Sequence, residues 1–257
     1  MYQLGRLKNF PNLIHGFSER QDGNMSFHWG SKEEVVKNRK DFLKTLGIKV
    51  SDCVMMEISH QTEVVLVDTK FRDRGMDEIG NDLDESDNGV RADALVTSSR
   101  NAFLFLLTGD CLPVIFYDEK KKFVALVHLS RINTQKLFVQ KIVGELEKRG
   151  SRPEDILVGF GPGILKDSYI FSEDEIKTRI SDKEKWRNFL IRLPDGRIAV
   201  DFLGWNIRQL QDVGIPEKNI ETSGIDTGSN KKFFSHYRSR KTGEKEGRMA
   251  TVVGMKN

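Results

Sequence analysis

Cys111 and the histidines are the side chains of this sequence best suited to bind a metal or attack a substrate. Cys111 lies in LTGDCLPV, directly after Asp110 and between two apolar runs. Two histidines, one cysteine and a water form an open tetrahedral zinc site, because zinc favours thiolate and imidazole ligands. A cysteine beside a histidine can instead act as a nucleophile without a metal. An isolated cysteine is also often a buried apolar residue. Three roles for Cys111 therefore stay open.

The number of histidines limits the metal chemistry that is available. The chain has five of them: His15, His28, His60, His128 and His236. A multicopper oxidase needs many more imidazoles to hold its copper centres, so this inventory excludes a true laccase mechanism. A single zinc site is compatible with it, and copper is the less favoured ion. Taken singly, His128 fits a hydrogen-bonded structural histidine as well as a metal ligand, and His60 fits an ordinary loop histidine better than a ligand.

The segment from Cys111 to His128 has the pattern of a β-hairpin around the charged run DEKKK, residues 118–122. If Tyr117 pairs with Lys122 across a four-residue loop, the same register places Cys111 opposite His128. Directly opposed residues on antiparallel strands have Cβ atoms about 4.5–5.5 Å apart. That distance suits a shared metal ion or a thiolate–imidazole pair. A slip of one residue would turn the side chains to opposite faces.

A second group of polar side chains offers hydrogen-bond donors for an anion. The stretch SHYRSRKTGEKEGR contains Ser235, His236, Arg238, Arg240 and Arg248. Arginine binds phosphate through paired N–H donors, and we take Arg238 as the better phosphate candidate. The alternative is a solvated basic loop. The glycine turn in GFGPG is weak evidence for anion binding.

The spacing of apolar residues predicts a single α+β domain over 1–257, with a mixed, largely antiparallel sheet flanked by helices. Ser31 and Glu34 have capping-box spacing before a helix over 32–46, and an amphipathic helix follows from about Thr134 to Lys148. Four strand-like runs, ADALVT, AFLFLLT, CLPVIFY and FVALVHL, lie between these helices. Because no helix separates them, a purely parallel sheet is not expected. The acidic stretch 72–91 is predicted to be a surface loop or lid.

Composition narrows the classes of partner. The formal net charge is +3 from 41 basic and 38 acidic residues, and the basic residues are scattered, so we expect no nucleic acid partner. No apolar run approaches the roughly 20 residues that cross a bilayer, so we expect no membrane association and a cytoplasmic location. Cys53 and Cys111 are then free thiols. A monomer or a homodimer is expected.

Eight sequence blocks resemble, in order, those of the laccase-domain family, also called the polyphenol oxidase, purine nucleoside phosphorylase or peptidoglycan editing factor family. They cover nearly the whole chain, from about Leu13 to Val253. The blocks are IHGFSER, SHQTEVVLV, ADALVT, LTGDCLPVIFYD, ALVH, GFGPGI, the spaced pattern DF…QL…GI…NI, and FFSHYRSRKTGEKEGRMATV.

The resemblance implies a zinc site formed by His60, Cys111 and His128, which occupy the family's three ligand positions. Other positions depart from the family pattern. Leu129, Ser130, Arg131 and Ile132 replace the residues expected after the second histidine, Gly163 replaces a cysteine, and Asp226–Thr227 replaces a Cys–Thr pair. These departures indicate a divergent member with changed specificity or lost activity.

The resemblance further implies phosphorolysis of adenosine, inosine or methylthioadenosine, together with deamination of adenosine. Asp110 would be catalytic, moving a proton or holding a substrate group, unless it only turns the chain. Ser235, Arg238 and Arg248 would bind substrate or phosphate, and His15 and Ser18 could line the site. The alternatives are a metal-independent cysteine hydrolase, a hydrolase that edits a peptidoglycan precursor, and a non-catalytic binding protein that keeps the fold.

Overall fold

Two β-sheets packed face to face form the centre of the molecule. The computed structural model describes residues 1–76, 89–180 and 183–257. The strands of these residues are β1 (Leu13–Phe17), β2 (Cys53–Ile58), β3 (Val64–Leu66), β4 (Val90–Ala92), β5 (Ala94–Thr97), β6 (Phe103–Thr108), β7 (Leu112–Asp118), β8 (Phe123–Leu129), β9 (Ile156–Phe160), β10 (Ile170–Phe171), β11 (Leu190–Arg192), β12 (Ile198–Val200), β13 (Ile220–Thr222) and β14 (Met249–Met255). The helices are α1 (Lys32–Thr45), α2 (Arg131–Gln135), α3 (Phe138–Glu147), α4 (Glu173–Arg179), α5 (Lys183–Trp186), α6 (Phe202–Asp212) and α7 (His236–Thr242).

Both large sheets mix parallel and antiparallel pairs. The first sheet has the strand order β1-β14-β6-β2-β4, and the second has the order β13-β9-β7-β8-β5-β3. A small antiparallel sheet, β10-β12-β11, lies beside them. These sheets and their flanking helices confirm the predicted α+β class. Within the described ranges, no helix is long and apolar enough to cross a membrane.

Alternating side chains give the molecule four layers. In β6, Leu104 and Leu106 pack between the two sheets, while Phe103 and Phe105 pack on the opposite face together with Phe42 of α1. The far face of the second sheet packs against α3 and α6 in another apolar cluster. This period of two is what a strand covered on both faces requires. Complete burial of each such leucine or phenylalanine contributes about 1.5–3 kcal/mol.

The predicted helix over 32–46 is confirmed, since α1 spans Lys32–Thr45 and Ser31 caps it by accepting a hydrogen bond from Glu34 N. The second predicted helix, from Thr134 to Lys148, is divided in two. Leu137 adopts a left-handed conformation with φ of 55° between α2 and α3, which interrupts the helical hydrogen bonds. Most of the acidic stretch predicted as a loop or lid, residues 77–88, lies outside the described residues.

The predicted hairpin forms, but its register was wrong by two residues. Tyr117 pairs with Val124 and Pro113 pairs with His128, so the position opposite His128 belongs to Pro113 and not to Cys111. Because side chains alternate with a period of two, a two-residue shift leaves every side chain on its predicted face. Cys111 precedes β7 by one residue and lines the same cavity as His128.

Candidate metal centre

Asp93 is the single residue between β4 and β5, at the point where the chain passes from the first sheet to the second. His60 follows the end of β2 in the first sheet, and His128 lies near the end of β8 in the second. One potential ligand atom from each of His60, Asp93 and His128 lies within 4.8 Å of the others. The crossing between the sheets therefore brings together two histidines that are far apart in sequence.

The Asp93 carboxylate holds the loop that carries His60. It is fully buried and accepts hydrogen bonds from Ser59 Oγ at 2.7 Å, from His60 N at 3.0 Å and from Thr62 N at 2.8 Å. His60 and Thr62 have φ values of 58° and 64°, which non-glycine residues seldom adopt. The hydrogen bonds to Asp93 compensate for this strained backbone, so the loop has one defined conformation.

Asp93 also fixes the protonation of His128. Its Oδ1 lies 3.3 Å from His128 Nδ1. Burial alone would raise the pKa of Asp93, but hydrogen bonds from His128 and Ser59 hold this pKa well below its usual range. Burial lowers the pKa of His128, despite the opposing hydrogen bond to Asp93. The neutral imidazole must carry its proton on Nδ1 to donate to the carboxylate, which leaves the Nε2 lone pair for a metal ion.

The charge state of the Cys111 thiol depends strongly on whether a cation lies nearby. Burial, and then the charge of Asp110, raise its pKa to about 12, while Arg248 and Arg131 lower it in part. At neutral pH this thiol is protonated unless a metal ion stabilises the thiolate. A metal-independent cysteine nucleophile would need the low pKa that this environment opposes.

A cavity of about 870 Å³ opens onto this cluster. His60, Cys111 and His128 line it together with apolar, aromatic and basic side chains. Thr108 also lines it, and within the described part of the chain its buried Oγ1 has no hydrogen-bond partner. The volume suits a small-molecule substrate, and the unpartnered hydroxyl is typical of a group that bonds a ligand.

Asp110 turns the chain into the site. Its φ of 132° is rare for a residue with a side chain. Oδ1 accepts from Thr227 Oγ1 at 2.7 Å, and Oδ2 accepts from Tyr237 N at 2.6 Å. Burial raises the pKa of Asp110, against the lowering effect of these hydrogen bonds. Asp110 lines the cavity, yet both of its oxygens are occupied by bonds that hold α7 in place.

The predicted anion-binding residues divide into two groups. Arg238 is 8% exposed, donates to the carbonyls of Thr227 and Phe233, and forms an ion pair with Glu244 at 2.7 Å. Ser235 caps α7. Among the described lining residues of the cavity, neither Arg238 nor Ser235 is found, whereas Arg248 is.

His15 and Ser18 also lie away from the cavity in the part of the chain that the structure describes. His15 Nε2 accepts a hydrogen bond from Leu4 N at 2.9 Å, and Ser18 Oγ accepts one from Ala250 N at 2.8 Å. Both residues are buried. Their hydrogen bonds tie β1 to neighbouring segments, which is a structural role.

Arg131 and Arg248 are the two arginines whose positive charges lower the pKa of Cys111. A Cβ built on Gly109 would lie 3.1 Å from the Arg248 guanidinium, so a side chain at this position would crowd it. Both arginines are half-buried and line the cavity. We refer to Arg131 and Arg248 as the inner arginines.

Asp93 and Glu246 were not among the residues predicted from the sequence, whereas His236 belonged to the predicted anion-binding stretch. His236 lines the cavity, and its Nδ1 lies 2.5 Å from Glu246 Oε1. Hydrogen bonds from His236 and Arg248 lower the pKa of Glu246, although burial acts to raise it. The sequence did contain an indication of the role of Asp93, which is the single carboxylate between the strand-like runs VRA and ALVT. A charge buried between two strands must be paired, so such a residue is expected to have polar partners.

The fold is α+β, and its candidate site combines the exposed His60 with the buried Asp93 and His128 next to a cavity that arginines also line. Residues 14–256 match the model of a family described as multi-copper polyphenol oxidoreductase laccase. The chain belongs to this family, as the sequence blocks predicted.

Individual relatives are similar over most of their length. Purine nucleoside phosphorylase YlmD of Bacillus subtilis (strain 168) is 27% identical over 263 residues, covering 97% of this chain and 91% of the relative. Adenosine deaminase RL5, from an unknown prokaryotic organism, is 25% identical over 222 residues, covering 85% and 81%. The crystal structure of hypothetical protein YfiH from Bacillus licheniformis aligns with a TM-score of 0.82 and 26% identity, covering 95% of this chain and 93% of that one. These relatives support an enzyme of this family.

Proposed function

We propose that the protein is a zinc-dependent purine nucleoside phosphorylase that accepts adenosine, inosine or methylthioadenosine, and that adenosine deamination is a second activity of the same site. The observation that carries the proposal is the placement of His60 and His128 around Asp93, beneath a cavity that Cys111 and the inner arginines also line. The names of the relatives support the reaction class.

The donor set fits zinc. Among the described residues, the ligand atoms that lie within 4.8 Å of one another belong to His60, Asp93 and His128 and do not include the Cys111 thiol. His60 and His128 would hold the ion, and Cys111, which lines the same cavity, would have to move its Sγ closer to complete the set. The Asp93 oxygens already accept hydrogen bonds from all sides, so Asp93 acts as a positioning residue. Bound zinc would supply a Lewis acid and would stabilise the Cys111 thiolate.

The protein side chains provide the remaining functions for phosphorolysis. The inner arginines bind the attacking phosphate, because two guanidinium groups match its charge and its oxygen atoms. A phosphate oxygen bonds to ribose C1′ as the bond from C1′ to purine N9 breaks, and the purine takes the electron pair. His236, oriented by Glu246, donates a proton to purine N7 as the base leaves.

The aromatic side chains of the cavity suit the purine. The ring centroids of Tyr169 and Phe171 are 4.6 Å apart, and that of Tyr237 is within about 6 Å of both. All three residues line the cavity. Such a cluster offers flat apolar surface to a planar heterocycle.

The test combines metal analysis with a product assay. Purified protein should contain about one zinc per chain, and with adenosine and phosphate it should form adenine and ribose 1-phosphate, with inosine as the product of deamination. His60→Ala should lose both zinc and turnover. His28→Ala removes an exposed histidine that is not among the described cavity-lining residues, and it should retain zinc.

The alternatives give different results. A metal-free, active protein that a thiol alkylator inactivates would contradict the zinc proposal and support a cysteine hydrolase. Fully zinc-loaded protein without nucleoside turnover would refute the phosphorylase assignment, leaving a peptidoglycan-precursor hydrolase or a non-catalytic binding protein.

A further inference from the structure

A second group of basic side chains lines the same cavity but is exposed at the surface. It comprises Arg179 of α4, Arg197, and Arg240 and Lys241 of α7. We refer to these four residues as the mouth group. The inner arginines, Arg131 and Arg248, line the same cavity but are half-buried, and Arg131 donates a hydrogen bond to the carbonyl oxygen of Arg179.

Carboxylates neutralise only part of the mouth group. Arg197 pairs with Asp195 at 2.7 Å, and Arg179 has Glu175 at 3.8 Å. Glu175 lines the cavity beside the mouth group. Its carboxylate already accepts a hydrogen bond from Ser172 N at 2.9 Å.

The two basic residues of α7 supply the uncompensated charge. Lys241 Nζ contacts the Tyr237 hydroxyl at 2.5 Å, and Arg240 has no ion pair within the described ranges. Both side chains are exposed. The mouth therefore carries about two more positive charges than its carboxylates balance.

The mouth group stands over the aromatic cluster. The Arg179 guanidinium lies 4.6 Å from the centroid of the Phe171 ring, and Lys241 Nζ lies 4.1 Å from that of the Tyr237 ring. These contacts hold the cations at the edge of the apolar surface. A ligand seated there meets flat apolar surface on one side and positive charge on the other.

We propose that the mouth group binds a phosphate ester carried by the substrate itself, so that the preferred ligand is a phosphorylated purine nucleoside. This inference rests on the proposed function, which assigns the attacking phosphate to the inner arginines. An uncharged nucleoside gives Arg240 and Lys241 no partner, whereas a ribose phosphate supplies the anion that arginine and lysine both bind.

Calorimetric binding of adenosine 5′-monophosphate and adenosine to the zinc-loaded protein tests the proposal. We expect the monophosphate to bind about tenfold more tightly at low salt, since each exposed ion pair contributes up to about fivefold. The advantage should persist in the Arg248→Gln variant, which removes one of the inner arginines.

Paired variants identify the source of the advantage. The double variant Arg240→Gln/Lys241→Gln should lose about tenfold in monophosphate affinity and keep its adenosine affinity within about twofold. The matched control Lys231→Gln/Lys245→Gln removes two exposed charges from residues that are not among the described cavity-lining residues, and it should bind both ligands like the original protein.

Three results would overturn the inference: equal affinities for the two ligands, an equal loss in the control variant, or disappearance of the advantage in the Arg248→Gln variant. The last result would assign the effect to the inner arginines. Because the readout is binding, it is independent of turnover, so a protein that binds the monophosphate tightly but produces no adenine would contradict the proposed reaction alone.

Discussion

Replacing Asp93 with asparagine should loosen both histidines of the metal centre at once. The side chain keeps its shape, but one carboxylate oxygen becomes an NH₂ group. Oδ1 of Asp93 faces the donors His60 N and His128 Nδ1, and Oδ2 faces Ser59 Oγ and Thr62 N. In either orientation the new amide nitrogen faces one backbone N–H, of His60 or Thr62, which cannot accept, so at least one hydrogen bond is lost. A second is lost unless the Ser59 hydroxyl or the His128 ring turns to accept.

The expected magnitude follows from that count. A hydrogen bond to a charged group contributes about 1.5–3 kcal/mol, so the loss of one or two should lower the free energy of unfolding by about 2–6 kcal/mol. Loss of a carboxylate that orients a metal-binding histidine typically lowers metal affinity about 10- to 100-fold. The strained backbone of His60 and Thr62 would also lose its compensating contacts.

Urea denaturation and zinc competition against a chelator measure the two effects separately. Asp118→Asn is the matched control, because Asp118 is also buried and accepts a hydrogen bond from Lys121 N at 2.9 Å, at the far end of β7. It should change stability by about 1 kcal/mol and leave zinc affinity unaltered. A folded Asp93→Asn variant that binds zinc within about twofold of the original protein would refute the positioning role.

Two further predictions concern His15 and the arginines. Burial lowers the pKa of His15 from 6.5 to about 4, so below pH 6.5 the unfolded chain binds more protons and stability falls toward pH 4, by about 3 kcal/mol in total. His15→Gln should flatten this loss in urea denaturation at pH 7 and pH 4.5, and an unchanged pH dependence would contradict it. Arg238→Gln should lower stability by about 3 kcal/mol or more, because it leaves the carbonyls of Thr227 and Phe233 without this donor, while Glu244 keeps only its hydrogen bond from Arg20. Arg248→Gln should instead raise the KM for phosphate about tenfold, and the reverse pattern would restore Arg238 as the phosphate ligand.

Local patterns were sufficient to predict the parts of the fold that depend on local physics. The cap at Ser31 and the apolar spacing after it placed α1 to within one residue. The predicted hairpin register was wrong by two residues. It still placed Cys111 and His128 on the correct face, because side chains alternate along a strand with a period of two. The loop has the predicted length of four residues but spans 119–122, one residue later than predicted, because Asp118 still pairs with Phe123 and its Oδ1 accepts a hydrogen bond from Lys121 N. Periodicity does not describe where a turn begins.

The remaining parts depend on contacts that are distant in sequence. Asp93 becomes central only because two sheets meet at it, and a single-strand pattern contains no information about a second sheet. From the sequence, Arg238 was taken as the better phosphate candidate, ahead of Arg248. Helix α7, which was not predicted, directs Arg238 inward to backbone carbonyls while Arg248 reaches the cavity.

The position of Asp93 between β4 and β5 has a mechanical consequence. His60 belongs to one sheet and His128 to the other, so any sliding of one sheet over the other changes the distance between the two imidazoles. Ions that bind both histidines therefore resist that sliding and stabilise the folded state by mass action. Metal affinity then becomes a measure of how rigidly the two sheets are held against each other. Substitutions in the apolar layer between the sheets should therefore change the metal affinity, although they do not contact the site.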